Sequence, residues 1–331
     1  MPKVALHDHL DGGVRPETLL ELSMARRLAL PANTADLLAL EVAKRANSGS
    51  LVQYLEAFGW TLPVMQTREA LKRIAFEAVE DLAADGVVLG ELRFGPMLHT
   101  QDGLTPQQAI DAVCDGLAAG TAKTGVPVGL ILCGLRHNDE FDTIARLFRD
   151  NYGDGSLVVG VDLAGPEFGF PVTNHPAIAQ LAKEMPGAPI TLHAGEADGV
   201  DSIWQAVRAG ARRIGHGTRL IDDISADRAL LRALVDEGIM LEVCLSSNAQ
   251  TGSIAKLAQH PLNRFRAEGV LLTLNTDNRL VSATTLSQEY ALAHSVFGVP
   301  EKELAQMADT GLDVSFMPYE VTRDVRRLHL G

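Results

Sequence analysis

The chain of 331 residues is short of cysteine, of positive charge and of long apolar runs. Its three cysteines, Cys114, Cys133 and Cys244, are far apart and form no C-x-x-C pair, which argues against a disulfide framework or a zinc ribbon and predicts a reducing, cytoplasmic setting. Lysine and arginine number 29 against 42 acidic residues, a net charge of -13 that repels phosphate backbones and anionic lipid. Nucleic acid and membrane are therefore disfavoured as partners, and a neutral or cationic small molecule is favoured. No apolar run approaches the roughly 18 residues a spanning helix requires. Lys3 is followed by only three apolar residues before His7, too few for a signal peptide. What remains is an ordinary globular composition, 46% hydrophobic and 21% charged, with length enough for two average domains or one large α/β barrel.

Periodicity favours the barrel. Eight short apolar runs recur: "KVALH", "VVLGELRF", "VPVGLILCGL", "LVVGVDLAG", "ITLHAG", "RRIGHG", "IMLEVCL" and "VLLTLNTD". Near-continuous apolar character over so short a length suits parallel strands covered on both faces. Between them lie helical patterns. From Thr67, residues Leu71, Ile74, Ala75, Ala78, Val79 and Leu82 follow the i, i+3, i+4, i+7 rule, with Gly86 as a stop. Thr105, Pro106 and Gln108 form a capping box, and a further helix is expected after Ser225, closing at Gly238. Strand then helix, eight times over, predicts a (β/α)8 TIM barrel. The first connection is too long for one helix, so residues 14–66 are expected to form a helical insertion, a lid over the C-terminal mouth of a single domain spanning 1–331.

The polar residues gather at strand ends. His7 and His9 alternate along the first strand and so share a face, while Asp8 turns away. His193 and Glu196 end the fifth strand, His216 the sixth and Asp277 the eighth, and C-terminal ends of barrel strands converge. Taken singly, His193 fits a buried histidine satisfied by backbone, and Asp277 in "NTDN" a turn residue. Taken together, imidazoles and a carboxylate suit Zn2+ with a position left for water. Glu196 reads as a proton carrier in the same mouth, or as a first-turn glutamate favoured by a helix dipole. His216, between glycines in "IGHG", reads as a fourth imidazole ligand or as a hydrogen-bonding electrostatic group.

In order and in register, "HDHLDGG", "DLAGPE", "HAGE", "RIGHG", "CLSSNAQTG" and "LNTDN", with "YLEAF" and "VMQT" in the insertion, resemble the adenosine deaminase family of the amidohydrolase superfamily over nearly the whole chain. The resemblance implies one zinc per chain on His7, His9, His193 and Asp277, with Glu196 as proton shuttle, His216 assisting the attacking water and His9 also near the substrate. It implies that Asp11 meets the ribose 5'-hydroxyl and that the Gly165 amide meets purine N3. The expected reaction is conversion of adenosine and 2'-deoxyadenosine to inosine products and ammonia. Rival substrates are adenine and 5'-modified adenosines such as aminodeoxyfutalosine; a non-catalytic nucleoside-binding protein is the remote alternative.

Two positions depart from the family pattern. "NTDN" carries Asn278 where a second aspartate is usual; an amide donates at any ordinary pH, so a contact to purine N7 is expected from it, or else Asn278 caps a loop. Leu245 stands where proline is frequent. A binuclear hydrolase is disfavoured because "LVVGVDLAGPE" offers no lysine, and no H-x-E with P-C-x-x-C marks the other zinc deaminases. Oligomeric state is not legible.

Overall fold

A computed structural model describes residues 1–330, and the eight apolar runs all become strands. They are β1 (Lys3–His9), β2 (Val87–Phe94), β3 (Val128–Leu135), β4 (Val158–Ala164), β5 (Thr191–Ala194), β6 (Arg213–His216), β7 (Met240–Val243) and β8 (Leu272–Leu274). All pair in parallel, in two four-stranded runs ordered β1-β2-β3-β4 and β5-β6-β7-β8. Two single bridges join the runs, Val161 to Ile190 on one side and Asp8 to Asp277 on the other. Sequential neighbours with the last returning to the first make a closed (β/α)8 barrel. The closing seam is also where the chemistry sits, since His9 N–H donates to Asp277 O at 2.7 Å and Asp277 N–H to His7 O at 3.0 Å.

The helices form where sequence signals are strongest. Thr67 caps Arg68–Ala84 by accepting from Ala70 N–H at 3.2 Å, and the helix buries all six apolar positions of its expected stripe. Thr105 and Gln108 make the reciprocal capping box that starts Pro106–Thr124, a device whose removal typically costs about 1 kcal/mol. These two helices pack tightly because Gly116 and Gly120 face Lys72 and Val79, where an added Cβ would lie 2.3 and 2.6 Å from its nearest atoms.

Ser225 does not start a helix. It ends the short Leu220–Ile224 segment, and the next helix, Ala229–Glu237, begins after Arg228 in the left-handed region, with Gly238 closing it as expected. The Asp223 carboxylate accepts from Leu230 and Leu231 N–H, doing the capping work expected of a hydroxyl. Likewise Asp277 lies three residues past the end of β8, at φ 60°, and is held by the seam rather than by the strand.

Between β1 and the helix at Arg68 lie helices Pro16–Arg26, Ala35–Ala46, Leu51–Leu55 and Phe58–Thr61. They bring Tyr54, Leu55, Phe58 and Leu62 to the mouth of the barrel, where Leu55, Phe58 and Leu62 wall a cavity. Inside the barrel the core is charged. Arg93 reaches Asp162 and Glu242, each at 2.9 Å, while Arg213 reaches Glu91 at 2.7 Å and Glu242 at 2.8 Å. All five side chains are fully buried, which is tolerable only because each charge is paired.

Candidate active site

Strand alternation gives β1 two faces. His7 and His9 point to the barrel axis, and Asp8 turns outward to accept from Thr276 Oγ1 at 2.9 Å and Arg279 Nε at 2.8 Å. From the other run of strands, β5 adds His193 and β6 adds His216, and the seam adds Asp277. Ligand atoms of His7, His193, His216 and Asp277 all lie within 4.8 Å of one another. His9 belongs to the same constellation: its Nε2 is 3.2 Å from His193 Nε2 and 3.4 Å from Asp277 Oδ1. Five potential ligands thus converge; the family resemblance implies four of them as metal ligands, and the residue pattern leaves His216 open to either role.

The spacing suits a small divalent ion. His7 Nε2 stands 3.2 Å from Asp277 Oδ1, yet it is buried without a hydrogen bond. Bonds of 2.0–2.1 Å in a tetrahedron place ligand atoms about 3.3 Å apart, close to the separations of these edges. The opposite ring nitrogens support the same use. His7 Nδ1 meets Glu242 Oε2 at 2.8 Å and His193 Nδ1 meets Asp162 Oδ2 at 3.0 Å. Burial alone would raise both carboxyls, but Arg93 and Arg213 beside Glu242, and His193 and Arg93 beside Asp162, hold them below their ordinary values. Ionised carboxylates only accept, so each imidazole carries its proton on Nδ1 and leaves the Nε2 lone pair free for a metal.

Glu196 is presented by a second glutamate. Glu167 accepts from the N–H groups of Gly195, Glu196, Ala197 and Asp198 at 2.6 to 3.0 Å, and from Ser202 Oγ at 2.5 Å, so one carboxylate fixes the turn leaving β5. Glu196 Oε1 is buried without a partner, and Oε2 is 3.7 Å from His216 Nε2. Burial first, then the negative charges of Asp277 and Glu167, push its carboxyl well above the usual range. That is the state a proton donor near neutrality needs.

Beside the constellation opens a cavity of about 300 Å3, at the small end for ligand pockets. His9, Asp11, Cys133, His137 and Gly165 line it together with Leu55, Phe58, Leu62 and Leu98; no lysine or arginine does. Asp11 Oδ1 has no partner there, and burial pushes its carboxyl up to about 7. Gly165 takes φ +92°, and an added Cβ would meet His137 Nδ1 at 3.3 Å. Asn278 is placed elsewhere. Its Nδ2 donates to Tyr54 Oη at 2.9 Å, and it does not line the cavity; Gly12 must be glycine here because a Cβ would fall 1.8 Å from Asn278 Oδ1.

Several supporting residues escape a reading of the sequence: Asp162, Glu242, Glu167, Asn248 and Ser247, the last donating to Asp277 Oδ2 at 2.5 Å. For Asp162 and Glu242 a signal existed, because a lone acid inside "VVGVDLAG" or "IMLEV" must be paired once the strand is buried.

A parallel barrel carrying histidines and acids at its C-terminal mouth is the architecture this chain shares with deaminases of known structure. The model of the family described as adenosine deaminase matches residues 2–328, and the chain belongs to that family. It is 43% identical over 336 residues to the adenosine deaminase of Mycobacterium sp. (strain JLS), covering 96% of this chain and 91% of that one. Among solved structures it resembles an adenine deaminase from Arthrobacter aurescens, at TM-score 0.86 and 25% identity over 100% and 99% of the two chains. It also resembles the N6-methyl-AMP deaminase of Arabidopsis thaliana, at TM-score 0.83 and 28% identity over 99% and 96%.

Proposed function

We propose that this chain hydrolyses the 6-amino group of adenosine and 2'-deoxyadenosine, giving the corresponding inosine and ammonia. The observation that carries the substrate class is a small, largely apolar cavity that holds Asp11 with its Oδ1 free and is lined by no lysine or arginine. Ionised, Asp11 repels a 5'-phosphate, and in either protonation state it can hydrogen-bond a 5'-hydroxyl, which favours a nucleoside over a nucleotide; a free base would leave its Oδ1 buried without a partner.

His7, His9, His193 and Asp277 would hold one zinc ion per chain, and the histidine–carboxylate pairs behind them fit that use. When bound, the metal lowers the pKa of a water from 15.7 to about 7, which supplies hydroxide at neutral pH. The chain's own groups do the rest. Protonated Glu196 donates to purine N1 and draws electrons from C6, where hydroxide adds. Asp277 orients the attacking oxygen and His216 stabilises its charge. The Gly165 amide faces N3 while Asp11 holds the 5'-hydroxyl. Asn278 is read as a support for Tyr54, whose hydroxyl its Nδ2 reaches while the residue stands outside the cavity lining. Residues 14–66 serve as a lid of the single domain, and three free thiols fit a reducing cytoplasm.

Ultraviolet absorbance of zinc-loaded protein with adenosine, 2'-deoxyadenosine, adenine and AMP tests the proposal. Both nucleosides should turn over, with adenine and AMP at least about a hundredfold poorer in kcat/KM. Preference for adenine or AMP would sink it.

A further inference from the structure

The sequence leaves His216 with two incompatible uses. As a fourth ligand it must offer an Nε2 lone pair; as an electrostatic donor it must carry a proton there. The distinction is set behind the ring by a chain of buried groups that can be assigned in one direction only.

The chain starts at a backbone amide. Leu262 N–H lies 3.1 Å from His260 Nδ1, and a backbone N–H only donates, so Nδ1 accepts. His260 is buried in apolar surroundings, edge-on to Phe265 and Phe297, and burial pushes its imidazole down to about 3, so the ring is neutral. A neutral ring that accepts at Nδ1 carries its proton on Nε2. That Nε2 lies 3.2 Å from Asn248 Oδ1, which accepts. The amide is thereby oriented, and its Nδ2 donates to His216 Nδ1 at 3.0 Å. His216 Nδ1 is thus an acceptor, unlike the same atom of His7 and His193, each of which faces a carboxylate.

We infer that His260 and Asn248 are positioning residues which fix His216 as its Nε2–H tautomer, making it a hydrogen-bond donor toward the reacting oxygen and withholding it from the metal. Three hydrogen bonds, from Leu262 through His260 and Asn248 to His216, carry the assignment. The device works without charge. Where carboxylates turn His7 and His193 into ligands, an amide turns the third buried imidazole into a donor. Asn248 and His260 are both buried, and among the described residues no charged side chain bonds either of them.

The decisive variant is Asn248→Asp, nearly isosteric but able only to accept. It should move the proton of His216 from Nε2 to Nδ1. Imidazole 15N resonances of the zinc-loaded protein, assigned with His216→Asn, read the tautomer directly. Turnover of adenosine reads its consequence: kcat should fall by on the order of a hundredfold with KM and zinc content nearly unchanged. An unmoved tautomer overturns the inference, as does native turnover once the proton has moved.

Should Asn248→Asp fail to fold, His260→Phe and His260→Gln replace it. Phenylalanine removes the donor, frees the amide to rotate and should give mixed His216 tautomers with kcat reduced about tenfold; glutamine restores the donor and should recover a single tautomer and most of the rate. Equal behaviour of the two overturns the proposal. The kinetic arm rests on the deaminase reading, whereas the 15N arm does not, so failure of one is distinguishable from failure of the other.

Discussion

His7 Nδ1 and Glu242 Oε2 stand 2.8 Å apart on the barrel axis, both fully buried, and the same oxygen accepts from Arg93 Nη2 at 2.9 Å. One carboxylate therefore links the ion network of the barrel core to the first histidine of the site. Thr191 Oγ1 and Arg213 Nε occupy its other oxygen at 2.9 and 2.8 Å. Stability and ligand geometry are properties of one group.

Glu242→Gln should reveal both at once. The amide keeps the volume but removes the charge that Arg93 and Arg213 share, and breaking a buried pair costs about 3–5 kcal/mol. Zinc affinity should also fall about 10- to 100-fold, because a neutral amide oxygen is a weaker acceptor than the carboxylate for the Nδ1 proton of His7. Denaturant unfolding and chelator competition measure the two effects; native values in both would refute the assignment.

Glu196→Gln should bind zinc normally and lose several orders of magnitude in turnover, as no acid remains for N1. In the native enzyme the protonated carboxyl is the active form. Its folded pKa is raised well above the usual carboxylate range, so kcat should decline as pH rises through that raised value and not through the ordinary one. A metal-replete variant of near-native rate would remove Glu196 from the mechanism.

Asp11→Ala should act on the ribose end alone. A hydrogen bond is worth about 1 kcal/mol to a neutral group and about 1.5–3 kcal/mol to a charged one, and the Asp11 carboxyl is pushed up to about 7, so kcat/KM for adenosine should drop about 5- to 150-fold while 5'-deoxyadenosine is little affected. Comparing the two substrates in native and variant protein gives the coupling directly. Equal losses on both would show that Asp11 supports the fold and not the hydroxyl.

His99 offers a prediction about acid stability. It is fully buried, stacked on Phe94, and hydrogen-bonded through Nδ1 to Met65 O at 2.9 Å. Burial pushes its imidazole from 6.5 down to about 4, so between those values the unfolded chain binds a proton that the native chain does not. Its contribution is complete above pH 6.5 and is lost as pH falls toward 4, about 3 kcal/mol over the window. Urea unfolding of His99→Gln should show a shallower fall between pH 6.5 and 4 than the native protein. Parallel slopes would contradict it.

Much of this architecture can be read without coordinates. The apolar runs coincide with strands because a strand buried on both faces has few other ways to be written, and Thr105 with Gln108 reads as a helix start because both side chains answer neighbouring backbone groups. Ser225 misleads for the converse reason, since Asp223 outcompetes it from two residues earlier. Glu167 is invisible as a support of Glu196 because 29 residues separate them and only the β4–β5 crossover brings them together.

The sequence by itself determined the barrel, through period and run length, and the constellation, because alternation along β1 puts His7 and His9 on one face and strand ends converge. Only the tertiary structure decided what each imidazole can do. A ring nitrogen takes its role from the group opposite it. Those groups, Glu242 for His7, Asp162 for His193 and Asn248 for His216, come from two other strands and a short helix, at distances along the chain over which local pattern carries no information.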